Sequence, residues 1–254
     1  GAMPGVYRAL WSDQELCLAL ALPATWQDYV AQLGKRTRRK LAYYQRLLHR
    51  RCEKVDLRLA EREELTALMT ALFDLHGKRW RSRDMPGHLA SSRLQAFHRR
   101  VAERFHARGW LRPHIAYLGG RAVAVEYAFC FHKRYYLYLA GLDPEWYRYS
   151  LGTVLMAEAI RHAIAEGCVE VDFLRGNESY KLAWKPTQER LNRRLVLVHP
   201  ASIRSHAALW VDGLRPHLTT VRIMQRRLLR AWSRGQDYLV RPGISFPDYK
   251  QLPW

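Results

Sequence analysis

Three stretches of the chain bring together side chains that could do chemistry. The first is AVAVEYAF, residues 122–129, where Glu126 stands alone among apolar neighbours. A carboxylate buried mid-strand is desolvated, and burial raises its pKa toward a range useful to a general base. Facing outward, or set against an arginine, the same residue is a structural charge. The second stretch is VDFLRGNESYKLAWK, residues 171–185, where Asp172, Arg175, Glu178, Tyr180 and Lys181 crowd the end of an apolar run. That density of ionisable groups beside a strand marks either a functional site or a set of salt bridges around a turn at Gly176. The third is Tyr149-Ser150-Leu151-Gly152-Thr153, directly ahead of an apolar-periodic segment. Gly152 lets the backbone turn tightly and approach a ligand. The first amides of a helix have no internal partner and, with the helix dipole, favour phosphate. Ser150 or Thr153 would cap the same helix, and a serine and glycine in that place also serve as a plain cap.

Other chemistries lack their residues. The chain has no Walker loop, no Gly-x-Ser-x-Gly, no Gly-x-Gly-x-x-Gly and no His-Glu-x-x-His. Its eleven histidines are scattered, and its four cysteines (Cys17, Cys52, Cys130, Cys168) form no Cys-x-x-Cys pair, so no metal is expected. The same spacing gives reduced thiols and a cytoplasmic setting.

The elements that must position these groups are legible in the hydrophobic period. Helical spacing predicts helices over 24–33 (Thr25 as N-cap), 34–51, 61–80, 93–108 and 151–166, the last closed by Gly167. Alternation predicts strands over 52–59, 111–118, 121–131, 134–140, 168–174 and 191–199, with Gly119-Gly120 as a hairpin turn and a short helix near 178–184. Helices followed by an antiparallel meander and then strand–helix–strand predict an α/β (α+β) fold: a mixed, largely antiparallel central sheet flanked by helices.

Composition sets the outer limits. At 254 residues, 48% hydrophobic and 26% charged, the chain is globular rather than disordered. Lys and Arg exceed Asp and Glu by 42 − 23 = +19, which excludes an acidic scaffold and calls for an anionic partner: tRNA or another polyanion, an anionic membrane surface, or a phosphorylated co-substrate. The segment 34–51 alone holds eight Lys/Arg and no acid. No apolar run reaches membrane-span length. Residues 1–24 are expected to be a tag remnant, from the opening Gly-Ala-Met, and an N-terminal segment. Residues 25–200 would form the main domain, and 201–254 a basic amphipathic helical extension and tail with Trp210 and Trp232 suited to an interface.

The run 135–181 resembles the GNAT N-acyltransferase superfamily, and within it the bacterial branch grouped with cellulose-biosynthesis-associated acetyltransferases. Tyr149-Ser150-x-Gly152-Thr153, the Glu-Gly after the helix, and Asp172-Phe-Leu-Arg-Gly-x-Glu-x-Tyr180-Lys181 carry the likeness. KRTRRKLAYYQRLL, LFDLHGKRW and the Gly-Gly hairpin extend it over roughly 25–198. That branch is also similar to Fem-type aminoacyl transferases. The resemblance implies acetyl-CoA or another acyl-CoA as co-substrate, with no metal. The strand 134–140, Leu139 included, would lie along the acyl arm, and Tyr149, Ser150, Leu151, Gly152 and Thr153 would hold the pyrophosphate. It implies direct acyl transfer to a small-molecule amine. Glu126 is then the general base with Asp172 its rival, Tyr180 or Tyr138 protonates the leaving thiolate, and Arg175, Glu178 and Lys181 contact substrate. The family fingerprint Gln/Arg-x-x-Gly-x-Gly/Ala is reduced here to a single glycine, Gly152. The likeness to Fem-type enzymes keeps a tRNA-dependent aminoacyl transferase open. A non-catalytic module on a polyanion, or peripheral at the inner membrane face, is the third reading.

Overall fold

The computed structural model describes residues 8–52, 54–85 and 87–198. The basic extension and tail expected after 201 lie outside them. The compact unit that carries the site spans Glu15–Asn192, while residues 8–14 and 193–198 group with a second unit. Among the described residues no helix is long and apolar enough to cross a membrane.

The strands are β1 (Arg8–Ala21), β2 (Val55–Leu59), β3 (His114–Leu118), β4 (Arg121–Phe131), β5 (Arg134–Leu142), β6 (Glu170–Arg175) and β7 (Gln188–Val198). The helices are α1 (Trp26–Gln32), α2 (Lys35–Arg51), α3 (Leu65–Arg81), α4 (Ser92–Ala107), α5 (Leu151–Ala165) and the single turn α6 (Ser179–Leu182). The sheet runs β2-β3-β4-β5-β6-β1-β7. Strands β3 to β5 form the expected antiparallel meander, and β2 adds to its edge antiparallel to β3. Strand β6 joins β5 in parallel, and α5 is the crossover that a parallel pair requires.

Successive side chains of β4 serve opposite faces. Val125 and Tyr127 pack with Leu68, Met69, Leu72 and Leu75 of α3. Ala124 packs with Leu151, Val154 and Leu155 of α5 and with Leu48 of α2. Further along α5, Ile160 and Ala163 meet Tyr135, Val171, Phe173 and the β1 residues Leu18 and Leu20. Helix α3 lies almost on the β5 backbone: a Cβ on Gly141 would stand 2.9 Å from the Leu75 Cβ and 3.0 Å from the Leu72 carbonyl.

Strand β1 falls within residues 1–24, where the sequence pattern predicts no element. Leu18, Ala19 and Leu20 are all buried, and Ala19, Leu20 and Ala21 pair antiparallel with Asp172, Val171 and Glu170. A strand covered on both faces loses its alternation, so its sequence shows only a short apolar run.

The site is set by a fork between β5 and β6. The two strands pair only at Arg134–Glu170, Tyr135–Val171 and Tyr136–Asp172, yet β5 continues to Leu142. Leu174 leaves the strand at φ +55°, a left-handed conformation that costs a leucine about 1–2 kcal/mol. Its N–H donates to the Asp172 carboxylate at 2.7 Å, which holds the bend. The Gly176 N–H then donates to the Leu16 carbonyl at 2.8 Å, so the end of β6 follows β1 and, among the described residues, no strand pairs with the far half of β5 on that side.

Candidate active site

Glu126 lies in β4 opposite Ala140 of β5 and His114 of β3, in the stretch of β5 that β6 has left. It is 5% exposed, and among the described residues no hydrogen bond or ion pair reaches its carboxyl. Burial holds its pKa up at about 8, against a smaller downward pull from the Arg79 guanidinium. His114 beside it is pushed down to about 3, chiefly by burial, and is therefore neutral. The strand thus carries a carboxyl that is neutral at low pH and ionises near pH 8, the property a base for an amine needs.

Arg79 enters this space from α3. Its side chain is buried, and Nη1 donates to the Ala140 carbonyl at 3.3 Å, on the part of β5 that has lost β6. Arg79 sits within the electrostatic reach of Glu126, Tyr147 and Tyr180. Tyr180 has its phenol raised above the ordinary range, first by burial and then by Glu178 and Glu126, with Arg79 opposing. Fork, carboxyl, guanidinium and phenol therefore share one region. Two contacts anchor α6 and with it Tyr180. The Lys181 ammonium donates to the carbonyls of Arg175 at 2.8 Å, Gly176 at 3.2 Å and Leu174 at 3.4 Å, and the Tyr29 hydroxyl donates to the Trp184 carbonyl at 3.0 Å.

At the mouth of the fork, Asp143 opens a 3-10 turn over Pro144–Tyr149 that delivers Ser150 to the N-terminus of α5. The left-handed residue here is Ser150 (φ 47°), not Gly152. Gly152 already lies inside α5, and its missing Cβ serves close packing: an added one would meet Leu142 Cδ1 at 3.1 Å. The Ser150 hydroxyl makes no capping bond. Its carbonyl accepts the Thr153 N–H at 2.9 Å and the Val154 N–H at 3.3 Å, so Leu151 and Gly152 present the helix's leading amides. A cleft of about 310 Å³ beside this turn is lined by Leu47, Arg51, Arg148 and Tyr149, with the Arg148 guanidinium 5.0 Å from the centre of the Tyr149 ring.

The remaining expected residues are dispersed. Asp172 binds the Leu174 amide and lies 3.8 Å from Arg190, while burial raises its pKa. Tyr138 stacks with His98, Tyr127 and Phe129 on the α4 side of the sheet, away from the Glu126 group. Leu139 pairs with Tyr127 and packs with the α3 cluster. Arg175 is exposed. Glu178 pairs with Lys181 at 2.9 Å, and the buried Lys181 ammonium has its donors committed to the chain. Arg79, Arg51 and Arg148 were not singled out from sequence. For Arg79 a signal existed: it continues the apolar stripe of Leu68, Leu72 and Leu75, and an arginine on a buried stripe is seldom idle.

The model of the acetyltransferase (GNAT) domain family matches residues 35–182. No curated protein matches the sequence. The chain is similar in structure to FemX at a TM-score of 0.53 and 9% identity, over 74% of this chain and 60% of that one. It is similar to a conserved protein of unknown function from Bacteroides thetaiotaomicron at 0.52 and 12%, over 75% and 62%. It is also similar to the C-terminal domain (DUF2156) of a protein assigned as a lysylphosphatidylglycerol synthetase of Agrobacterium fabrum, at 0.51 and 10%, over 81% and 66%. These likenesses concern the fold. The chain spans less than two thirds of the length of each of these structures.

Proposed function

The chain belongs to the acetyltransferase (GNAT) family, and from that premise we propose that it is an acyl-CoA-dependent N-acyltransferase acting on a primary amine of a small molecule or amino sugar. The observation that carries this reading is Glu126: a buried carboxyl with no hydrogen bond or ion pair among the described residues, opposite the stretch of β5 that β6 has left and in electrostatic reach of Arg79 and Tyr180. The α5 turn supports a phosphorylated co-substrate. Leu151 and Gly152 offer leading amides, and Arg51 and Arg148 flank the neighbouring cleft.

In this reading the co-substrate supplies an activated thioester, and the chain supplies proton transfer and orientation. The β5 edge opposite Ala140 receives the acyl arm. Glu126 takes a proton from the acceptor amine, and Tyr180, whose phenol burial keeps protonated, gives one to the departing sulfur. Arg79, fixed to the Ala140 carbonyl, holds the field around both groups.

The test is a thermal-shift titration with CoA and acetyl-CoA at low and moderate salt. A saturable rise shared by both ligands, and lost in Gly152→Asp, supports the reading; a ligand of the native state stabilises it by mass action. No rise at either salt would refute the donor. A second reading, a tRNA-dependent aminoacyl transferase of Fem type, is favoured by α2: all eight of its Lys/Arg side chains are exposed. That reading predicts tRNA binding with a steep salt dependence and indifference to CoA. A chain that bound anionic vesicles or nucleic acid and turned over no donor would be a binding module.

A further inference from the structure

At the C-terminal end of α5, the opposite end of that helix from Ser150, the fold gathers two thiols, a carboxylate and an imidazole. Cys130 comes from the end of β4, Glu166 caps α5, and Cys168 follows the left-handed turn at Gly167 (φ +73°) on the way into β6. The two sulfurs are 3.4 Å apart. The Cys130 and Cys168 sulfurs and a Glu166 oxygen all lie within 4.8 Å of one another. We propose that Cys130, Cys168 and Glu166 form a binding site for a zinc-like divalent metal ion, with His162 as the nearest candidate for the fourth position.

The distances suit the chemistry. With metal–sulfur bonds of about 2.3 Å, two tetrahedral thiolate ligands stand about 3.8 Å apart, so the pair needs to open by only about 0.4 Å. His162 Nε2 is 3.6 Å from Glu166 Oε2, and burial lowers the His162 pKa, which keeps the ring neutral as a ligand must be. The carboxylate is already oriented. Arg112 Nε donates to both Glu166 oxygens, at 2.8 and 2.9 Å, and its Nη2 also pairs with Glu166. An outer guanidinium on a ligating carboxylate is a common second-layer device, and its charge offsets the one negative charge left by two thiolates, one carboxylate and a dication. Without metal the Cys168 thiol stays protonated, since burial and the neighbouring Cys130 hold it at about 12. Binding breaks two S–H bonds, sends two protons to solvent and forms two metal–sulfur bonds, with no change of oxidation state. The sequence expects no metal because it holds no paired Cys/His motif, and these two cysteines lie 38 positions apart. The ion would tie β4, α5 and the entry to β6 together.

The experiment uses the whole chain, stripped of metal and kept reduced, with cobalt(II) as the probe. One equivalent per chain is expected to give a thiolate-to-cobalt charge-transfer band and tetrahedral visible bands, both discharged by zinc. Cys130→Ser and Cys168→Ser should each abolish the charge-transfer band. Glu166→Gln should weaken binding, and the Cys17→Ser/Cys52→Ser double variant should leave it intact. Cys168 is buried and replacing it risks the fold, so half-buried Cys130 gives the second test. Zinc should raise the Tm of the native chain and not that of Cys130→Ser, with circular dichroism confirming the fold. Cobalt bands without thiolate charge transfer, or bands that survive Cys130→Ser, would overturn the site.

Discussion

Asp172 accepts the backbone N–H of Leu174 at 2.7 Å, and this contact pins a left-handed leucine where β6 parts from β5. Local hydrogen bonding at one strand end therefore holds the fork. Asp172→Asn keeps an acceptor for that N–H and is expected to hold turnover within about threefold. Asp172→Ala should cost about 1–3 kcal/mol in urea unfolding, the usual penalty for orphaning a buried donor. A loss of 100-fold or more in Asp172→Asn would instead make Asp172 the base.

Glu126→Gln should lower kcat by about 10²–10⁴-fold, with kcat/KM of the native enzyme rising as pH passes about 8. The same group marks stability. Its folded pKa lies above the ordinary 4.5, so its contribution is complete below pH 4.5 and is lost as pH rises through about 8. Calorimetry should find Glu126→Gln more stable than the native chain at pH 9, by up to about 5 kcal/mol, and nearly equal to it at pH 4.

Tyr180→Phe and Tyr138→Phe separate two phenols that sequence alone leaves equivalent. Tyr180 lies in the field of Glu126 and Arg79, whereas Tyr138 stacks on His98, Tyr127 and Phe129. Tyr180→Phe is expected to reduce kcat about 10²-fold with Tm unchanged, and Tyr138→Phe about twofold at most. Equal effects on steady-state turnover would contradict the assignment.

At Gly152 the two substitutions have different consequences. Gly152→Ala gains helix propensity of about 1 kcal/mol while pressing on Leu142 at 3.1 Å, so stability should move by less than about 1 kcal/mol and CoA should still bind. Gly152→Asp adds negative charge at the leading amides and should remove the CoA-induced thermal shift. Retained CoA affinity in Gly152→Asp would place the phosphates elsewhere.

Lys181→Met tests a clamp. The buried ammonium holds three carbonyls of the 174–176 bend and pairs with Glu178. Its removal should destabilise the chain by about 3 kcal/mol in urea unfolding. Unchanged stability with a raised KM would show that Lys181 contacts substrate instead.

By itself the sequence determined the meander, the α5 crossover and the suspicion falling on Glu126. Each rests on a local pattern: alternation in 121–131, helical period in 151–165, a single carboxylate in an apolar run. Helix α2 and its unbroken basic face were legible for the same reason. What only the tertiary structure decided depends on contacts between segments far apart in the chain. Strand β1 shows no alternation over Leu18–Leu20 because both faces are covered there. Arg79 acquires its role only when α3 settles against Gly141 and Ala140 of β5. The left-handed turn falls on Ser150 rather than Gly152, because Gly152 is spent on the approach to Leu142. Cys130 and Cys168 meet only because β4 and the entry to β6 converge at the end of α5. Periodicity records which face of an element is buried, whereas burial of a particular charge or pairing of two distant thiols is fixed by which elements become neighbours.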